Sequence, residues 1–228
     1  MNIGQEVDVD NNALYGCTFA YMALATLTSL VFGWALIKFV PSVMLLFTNY
    51  VGLMAYLLIA FGTFYLSRRL TETGSFAVVG VLLVGALYGL ILGPVLTLYS
   101  IKAITAGFGS GTILFAVLFA FGRSTKHDLS SWGTQLNAAL VALIIVSFLA
   151  AVLRLGWAFW LIDIISVIIF SGYTLYDLQR IGKMFAEVDI SDASAVNTVT
   201  AQAAIDLYVD FISLVINLIE IFGGSDNN

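Results

Sequence analysis

Seven long apolar stretches run through this 228-residue chain, and they constrain its fold more than any other feature. A helix needs about 20 mostly apolar residues to cross the roughly 30 Å hydrocarbon core of a membrane, at about 1.5 Å per residue. Short polar segments separate the stretches. The sequence therefore predicts seven transmembrane helices, at roughly 13–37, 43–67, 74–98, 104–122, 135–153, 157–177 and 198–222.

The composition agrees with an integral membrane protein. Hydrophobic residues make up 61% of the chain and charged residues 10%, whereas soluble domains average about 45–50% and about 25%. Because the loops are short, we expect one all-α transmembrane domain, residues 1–228, with membrane lipids around it and its function inside the bundle. The net charge of −5 and the lack of a basic cluster argue against nucleic acid as a partner.

The lysines and arginines between the spans predict how the chain is oriented. Six lie on the side of the N-terminus and three on the other side, namely Arg68, Arg69, Arg123, Lys126, Arg180 and Lys183 against Lys38, Lys102 and Arg154. Cytoplasmic loops carry the excess of positive charge, so the N-terminus is predicted to be cytoplasmic and the C-terminus outside. The first 12 residues are polar and acidic, so we expect no cleaved signal peptide.

The third span carries a glycine motif followed by a proline: Gly85, Gly89 and Gly93 recur every four residues, and Pro94 follows. Small residues at this spacing let two helix backbones approach closely in a membrane. A proline inside a helix removes one backbone hydrogen bond and favours a kink. The motif predicts tight helix packing, and the alternative is a hinge that lets a pore open.

Two aspartates near the end of the chain lie inside apolar runs. They are Asp177 in the sixth span and Asp210 in the seventh. An ionisable side chain at membrane depth usually faces the bundle interior, has a partner and marks an ion or proton path. Consecutive antiparallel helices can bring Asp177 beside Asp210 or Asp206 of the seventh span, and at close range in a low dielectric two such carboxyl groups share a proton. The pair is therefore predicted to act as a proton-sensitive latch.

Further polar residues follow one face of each of the last two spans. In the seventh span they recur at spacings of three and four residues, at Gln202, Asp206, Asp210, Ser213, Asn217 and Glu220. This is the repeat of one helix face. In the sixth span Asp163 lies 14 residues before Asp177, which is about 21 Å along an ideal helix. We regard Asp163, Asp206, Ser213 and Asn217 as candidate ion-pathway residues, and Asp177, Asp206 and Asp210 as candidate metal contacts.

Two segments of the chain resemble the signature segments of the transmembrane Bax inhibitor motif family in its bacterial form. The first is Gly172-Tyr-Thr-Leu-Tyr-Asp-Leu-Gln-Arg-Ile181, with Tyr-Asp at the end of an apolar run. The second begins Leu207-Tyr-Val-Asp-Phe-Ile-Ser-Leu and ends in Phe-Gly at Gly223. The resemblance implies a seven-helix bundle in which a central helix is wrapped by the other six.

The resemblance also implies a function and its residues. Bacterial relatives are described as pH-sensitive calcium leak channels or exchangers of the cytoplasmic membrane, in which an aspartate pair senses pH. That pair corresponds here to Asp177 and Asp210. An arginine at the end of the second helix interacts with the pair in the family, and Arg68 is the best match, with Arg69 as the alternate.

The chain departs from the family pattern at three acidic positions. Asp206 stands where relatives often have a small or apolar residue, Asp163 lies in a stretch that is usually uncharged, and Glu220 stands where an arginine is common. These additional acids lie along the predicted path. They could raise its affinity for cations or shift the pH at which it opens.

The leading hypothesis is a calcium leak controlled by protonation, with Ca²⁺ as the transported ion and no cofactor. The alternatives are a proton-coupled Ca²⁺/H⁺ exchanger, which the same acids would suit, and a membrane scaffold without transport. A retinal protein needs a lysine in mid-span, which the sequence lacks. We expect no enzyme, because the lone His127 lies in a loop and no metal-ligand spacing occurs; an aspartate-pair protease has no further support.

Overall fold

Our computed structural model describes residues 3–42, 50–72, 74, 76–125 and 127–225, without the side chains of 3–10, 50–58, 60, 61 and 225. In these residues the chain forms seven α-helices and no strand. They are α1 (Ile3–Phe39), α2 (Tyr50–Thr71), α3 (Ala77–Leu98), α4 (Ile101–Ser124), α5 (Trp132–Val152), α6 (Gly156–Glu187) and α7 (Ala193–Ser225). Residues 43–49, predicted to begin the second span, and Lys126 lie outside the described residues.

The all-helical class and the order of the helices are as predicted. Each predicted span overlaps one helix, and α1, α6 and α7 are longer than a span requires, with 37, 32 and 33 residues. Within the described part of the chain, five helices are long and apolar enough to cross a membrane: α1, α3, α4, α5 and α6. The crossing of α2 and α7 remains a prediction.

The chain divides into two compact units, and both α6 and α7 contribute residues to each of them. The first unit comprises Met1–Thr97 and Lys183–Tyr208, and the second comprises Leu98–Gly182 and Val209–Asn228. The first unit thus contains α1, α2, nearly all of α3, the end of α6 and the start of α7. The second contains α4, α5, most of α6 and the rest of α7.

In the first unit, α1 and α3 pack against each other through the glycine motif. A Cβ added at Gly85 would lie 2.6 Å from the carbonyl oxygen of Ala25, and one added at Gly93 would lie 2.9 Å from that of Gly33. The contacts advance along both helices in the same direction, so α1 and α3 run parallel. The backbones touch where side chains are missing, which supports the prediction of tight packing.

In the second unit, α7 packs closely on α4 in the opposite direction. Gly107 faces Ile219 and Gly111 faces Val215, and a Cβ at either glycine would lie under 3.0 Å from α7. The Phe211 ring adds edge-to-face contacts with two rings of α4, those of Phe108 and Phe115. These contacts fix the position of α7 along α4.

The burial of α7 is that of a core helix. No residue from Thr198 to Ile221 is exposed. The helix begins just after Asp192, whose carboxylate accepts hydrogen bonds from the backbone N–H groups of Ser194 and Ala195. Such a cap satisfies N–H groups that have no partner inside the helix. A carboxylate on α7 is therefore held away from water unless a neighbouring helix supplies a path.

We predict that Gly89→Ala destabilises the protein. The new Cβ would lie 2.8 Å from the backbone oxygen of Ser29 and 3.1 Å from the backbone nitrogen of Gly33. Overpacking of this kind typically costs about 1–3 kcal/mol. The matched control is Gly109→Ala, because nothing lies within 4 Å of a Cβ at that helical glycine. Thermal unfolding in detergent should show a lower midpoint for Gly89→Ala than for the control; equal midpoints would contradict the packing argument.

Candidate functional site

The two predicted sensor aspartates lie in the second unit, within electrostatic range of the same tyrosine hydroxyl. Asp177 of α6 is 7% exposed and Asp210 of α7 is 3% exposed. Both carboxyl groups are within electrostatic range of the hydroxyl group of Tyr173, which lies one turn before Asp177 on α6. Both carboxyl groups thus lie within electrostatic range of one hydroxyl. The direct pairing of Asp177 with Asp210 remains a prediction.

The Tyr173 hydroxyl is itself held by α5. It donates a hydrogen bond of 2.9 Å to Oδ1 of Asn137, and the Asn137 side chain donates to the backbone oxygen of Gly133. Gly133 is required here because the Tyr176 ring of α6 occupies the space where its Cβ would be. The position of the phenol beside the two acids therefore depends on a close contact between α5 and α6.

Asp177 has a cation from its own helix. Nη2 of Arg180 lies 3.1 Å from Oδ1 of Asp177, and the guanidinium group lies over the ring of Tyr176 at 5.9 Å. Residues three positions apart are neighbours on a helix surface. Sequence reasoning gave Arg180 no role in the site, although the spacing from Asp177 was a sufficient signal.

Gln179 ties the same turn of α6 to the connection between α4 and α5. Its Oε1 accepts a hydrogen bond of 2.7 Å from the backbone N–H of Leu129, and its Nε2 donates one of 2.6 Å to the carbonyl oxygen of His127. The side chain thereby replaces the backbone partners that this loop lacks. No sequence signal pointed to this contact, since it joins residues 50 and 52 positions apart.

In the first unit, Arg68 pairs with Asp206. Nη2 of Arg68 lies 2.5 Å from Oδ1 of Asp206, and the two side chains are 36% and 5% exposed. The resemblance implied Arg68 beside Asp177 and Asp210, but the ion pair in the structure is with Asp206. Arg69, the alternate, instead contacts Tyr65 and Glu72 at the surface. Arg68 is therefore the arginine of the two that is paired with an acid of α7.

The structure does not support a metal site built from three carboxylates. Among the described residues, no three His, Cys, Asp or Glu side chains are grouped so that they could hold a metal ion. Asp177 and Asp206 each face an arginine, which supplies positive charge to the carboxylate. The roles of Asp177, Asp206 and Asp210 as metal contacts remain predictions.

A second pair of carboxyl groups joins α6 and α7 in the second unit. Asp163, which is buried, is hydrogen-bonded to Glu220. The Tyr99 hydroxyl is within electrostatic range of both, and its ring packs against Gly223. A hydrogen bond between two carboxyl groups requires a proton on one of them, because an ionised carboxylate can only accept. The pair lies about 21 Å along α6 from Asp177 and is a second candidate site for binding a proton.

Two other candidate residues lie on α7 between Asp210 and Glu220. Ser213 is buried, and its backbone oxygen accepts a hydrogen bond of 2.6 Å from the Asn217 side chain. This bond uses one donor of the amide and leaves the Asn217 Oδ1 as an acceptor. The roles of Ser213 and Asn217 in an ion path remain predictions.

Comparison with known proteins places this arrangement in a class of membrane proteins. The family model described as "Inhibitor of apoptosis-promoting Bax1" matches residues 12–227. The chain is an integral membrane protein and belongs to this Bax inhibitor-like family, as the two signature segments predicted. The match includes residues of all seven helices, and it contains both the Asp177–Asp210 pair and the Asp163–Glu220 pair.

Bacterial relatives agree over most of their length. The chain is 29% identical over 207 residues to the inner membrane protein YbhL of Escherichia coli strain K12, covering 90% of this chain and 88% of YbhL. It is 31% identical over 226 residues to an uncharacterized protein of Borreliella burgdorferi, covering 98% of this chain and 97% of that protein. A Caulobacter vibrioides protein is 32% identical over 140 residues, covering 61% and 56%.

We predict that Arg68→Gln destabilises the protein and that Arg69→Gln does not. Breaking a fully buried ion pair costs about 3–5 kcal/mol, and the partial exposure of Arg68 lowers our expectation to about 1–3 kcal/mol. The exposed Arg69 provides the control, with a change of at most about 0.5 kcal/mol. Denaturant titration in mixed micelles measures the free energy of unfolding of both variants. Equal losses, or no partial recovery in the charge-reversed double variant R68D/D206R, would show that the pair contributes nothing specific.

Proposed function

We propose that this protein is a pH-controlled calcium pathway in the bacterial cytoplasmic membrane, with Asp177 and Asp210 as its proton-sensing pair. The observation that carries the proposal is that two buried carboxyl groups, from two helices, lie within electrostatic range of the same hydroxyl, that of Tyr173. Ionisable groups inside membrane proteins commonly mark ion and proton paths. Membership of the family and the inner-membrane relative YbhL support the location.

The proposed control is electrostatic. With one shared proton, the two carboxyl groups can form a hydrogen bond that ties α6 to α7. Without it, two negative charges in a poorly screened environment repel each other and attract a cation. Arg180 faces Asp177 and Gln179 anchors the same turn to a loop, so a shift of this turn would change both contacts. The proton thus selects between a bridged and a separated arrangement of the helices.

Calcium is the proposed cargo and not a bound cofactor. Ca²⁺ takes six to eight oxygen ligands, and weak binding favours passage over retention. On α7 the oxygens of Ser213 and Asn217 lie between Asp210 and the Asp163–Glu220 pair. With the N-terminus in the cytoplasm, as the positive charges predict, Asp177 lies toward the cytoplasmic end of α6 and Asp163 toward the outer end.

The test is calcium flux into liposomes that contain the purified protein, measured at several pH values. Asp177→Asn and Asp210→Asn should each flatten the dependence of flux on pH, because either removes one ionisable group of the coupled pair. Asp189→Asn is the control: this acid lies in the exposed α6–α7 connection, where it accepts hydrogen bonds from Ser191. Unchanged pH profiles in both site variants would refute the sensor role.

The Asp163–Glu220 pair favours Ca²⁺/H⁺ exchange as the second candidate function. A hydrogen-bonded pair of carboxyl groups on the same two helices could bind a proton and exchange it for a cation. In an exchanger, an imposed proton gradient drives calcium against its own gradient, whereas in a leak channel it cannot. A protein that supports neither flux would return us to the scaffold hypothesis.

For the exchanger we predict that Glu220→Gln abolishes calcium uptake driven by a proton gradient and leaves downhill calcium flux within about two-fold of wild type. The amide preserves a hydrogen bond to Asp163 but cannot ionise. Glu187→Gln, at the exposed C-terminal end of α6, serves as the control. Proton-driven uptake at the wild-type rate in Glu220→Gln would exclude this pair as the exchanging group.

A further inference from the structure

A recess of about 270 Å³ opens beside the glycine contact between α1 and α3, in the first unit. Gly33 and Gly93, whose backbones are in close contact, both line it. The walls come from the last turns of the two parallel helices. The lining residues are Gly33, Trp34, Ile37, Lys38, Gly93, Leu96 and Thr97.

The recess combines one cation with aromatic and aliphatic walls. The Lys38 Nζ lies 4.7 Å from the centre of the Trp34 ring and 5.6 Å from that of Phe39. Both rings are mostly exposed, at 58% for Trp34 and 70% for Phe39. Lys38 is the only charged residue in the lining. A ligand that fits must therefore carry a negative group at one end and an apolar segment next to it.

The position of the recess on α1 points to the source of such a ligand. Lys38 lies in the last turn of the apolar helix α1, where a span leaves the hydrocarbon. Tryptophan rings and lysine side chains at span ends characteristically lie at the level of lipid headgroups, with the lysine stem along apolar surface. A recess at this depth opens directly to phospholipid molecules.

We infer that this recess binds one anionic phospholipid, with the phosphate against Lys38 and part of one acyl chain over Gly93, between Ile37 and Leu96. The charge of the headgroup complements Lys38, and the acyl chain covers the aliphatic walls. Thr97 donates its hydroxyl hydrogen to the carbonyl oxygen of Pro94, so its oxygen remains an acceptor for a headgroup hydroxyl such as that of phosphatidylglycerol. The site is separate from the acid clusters of the proposed pathway.

Native mass spectrometry of the full-length protein, delipidated and then titrated with phosphatidylglycerol, tests this inference. Wild type should retain one tightly held lipid, and Lys38→Gln should weaken its binding at least five-fold. Lys102→Gln is the matched control, since this exposed lysine lies on the same predicted side of the membrane but outside the recess. Leu96→Trp, which fills the recess and keeps Lys38, should also reduce binding.

Three results would overturn the inference. The first is equal retention of phosphatidylglycerol by Lys38→Gln and wild type. The second is equally tight binding of diacylglycerol, which lacks the phosphate. The third is a lipid-free dimer that is lost in Lys38→Gln, because a second copy of the chain would then occupy the recess. Unfolding midpoints of both recess variants within about 3 °C of wild type would confirm that lost binding is not lost folding.

Discussion

The burial of carboxyl groups on α6 and α7 is the constraint on which the candidate site depends. Removing an ionised carboxylate from water is unfavourable unless a cation or a hydrogen-bond donor replaces the water. The structure replaces this water in two ways. Arginines face Asp206 in the first unit and Asp177 in the second, whereas the hydrogen-bond partner of Asp163 is Glu220. The acids therefore differ in what holds them, although they look alike in the sequence.

The three acids that depart from the family pattern therefore fall into two groups, Asp206 on the one hand and Asp163 with Glu220 on the other. The ion pair with Arg68 gives Asp206 a structural task in joining α2 to α7, so its charge does not require a place on an ion path. The partner of Asp163 is instead the carboxyl group of Glu220. The proposed exchange of a proton for a metal cation therefore rests on the Asp163–Glu220 pair and not on Asp206.

Much of the fold follows from the sequence because its signals are local. Apolar length predicted all seven helices, the glycine spacing of α3 predicted a close helix contact, and the apolar surroundings of Asp177 and Asp210 marked them as interior acids. The partner of Arg68 could not be predicted in the same way. Its choice between acids depends on which residue of α7 lies opposite α2, and this is set by tertiary packing over 138 positions of sequence.

Two contacts beside the proposed sensor pair differ in whether they can be predicted from the sequence. The spacing of Arg180 from Asp177 is a local helix relation that the sequence contains, whereas the Gln179 contact with the His127–Leu129 loop exists only after α4, α5 and α6 have packed. Both act on one turn of α6. Since Arg180 faces the Asp177 carboxylate and Gln179 binds the loop backbone, protonation of Asp177 would weaken the first contact directly. The second contact would change only if this turn of α6 then shifted, as the proposed control requires.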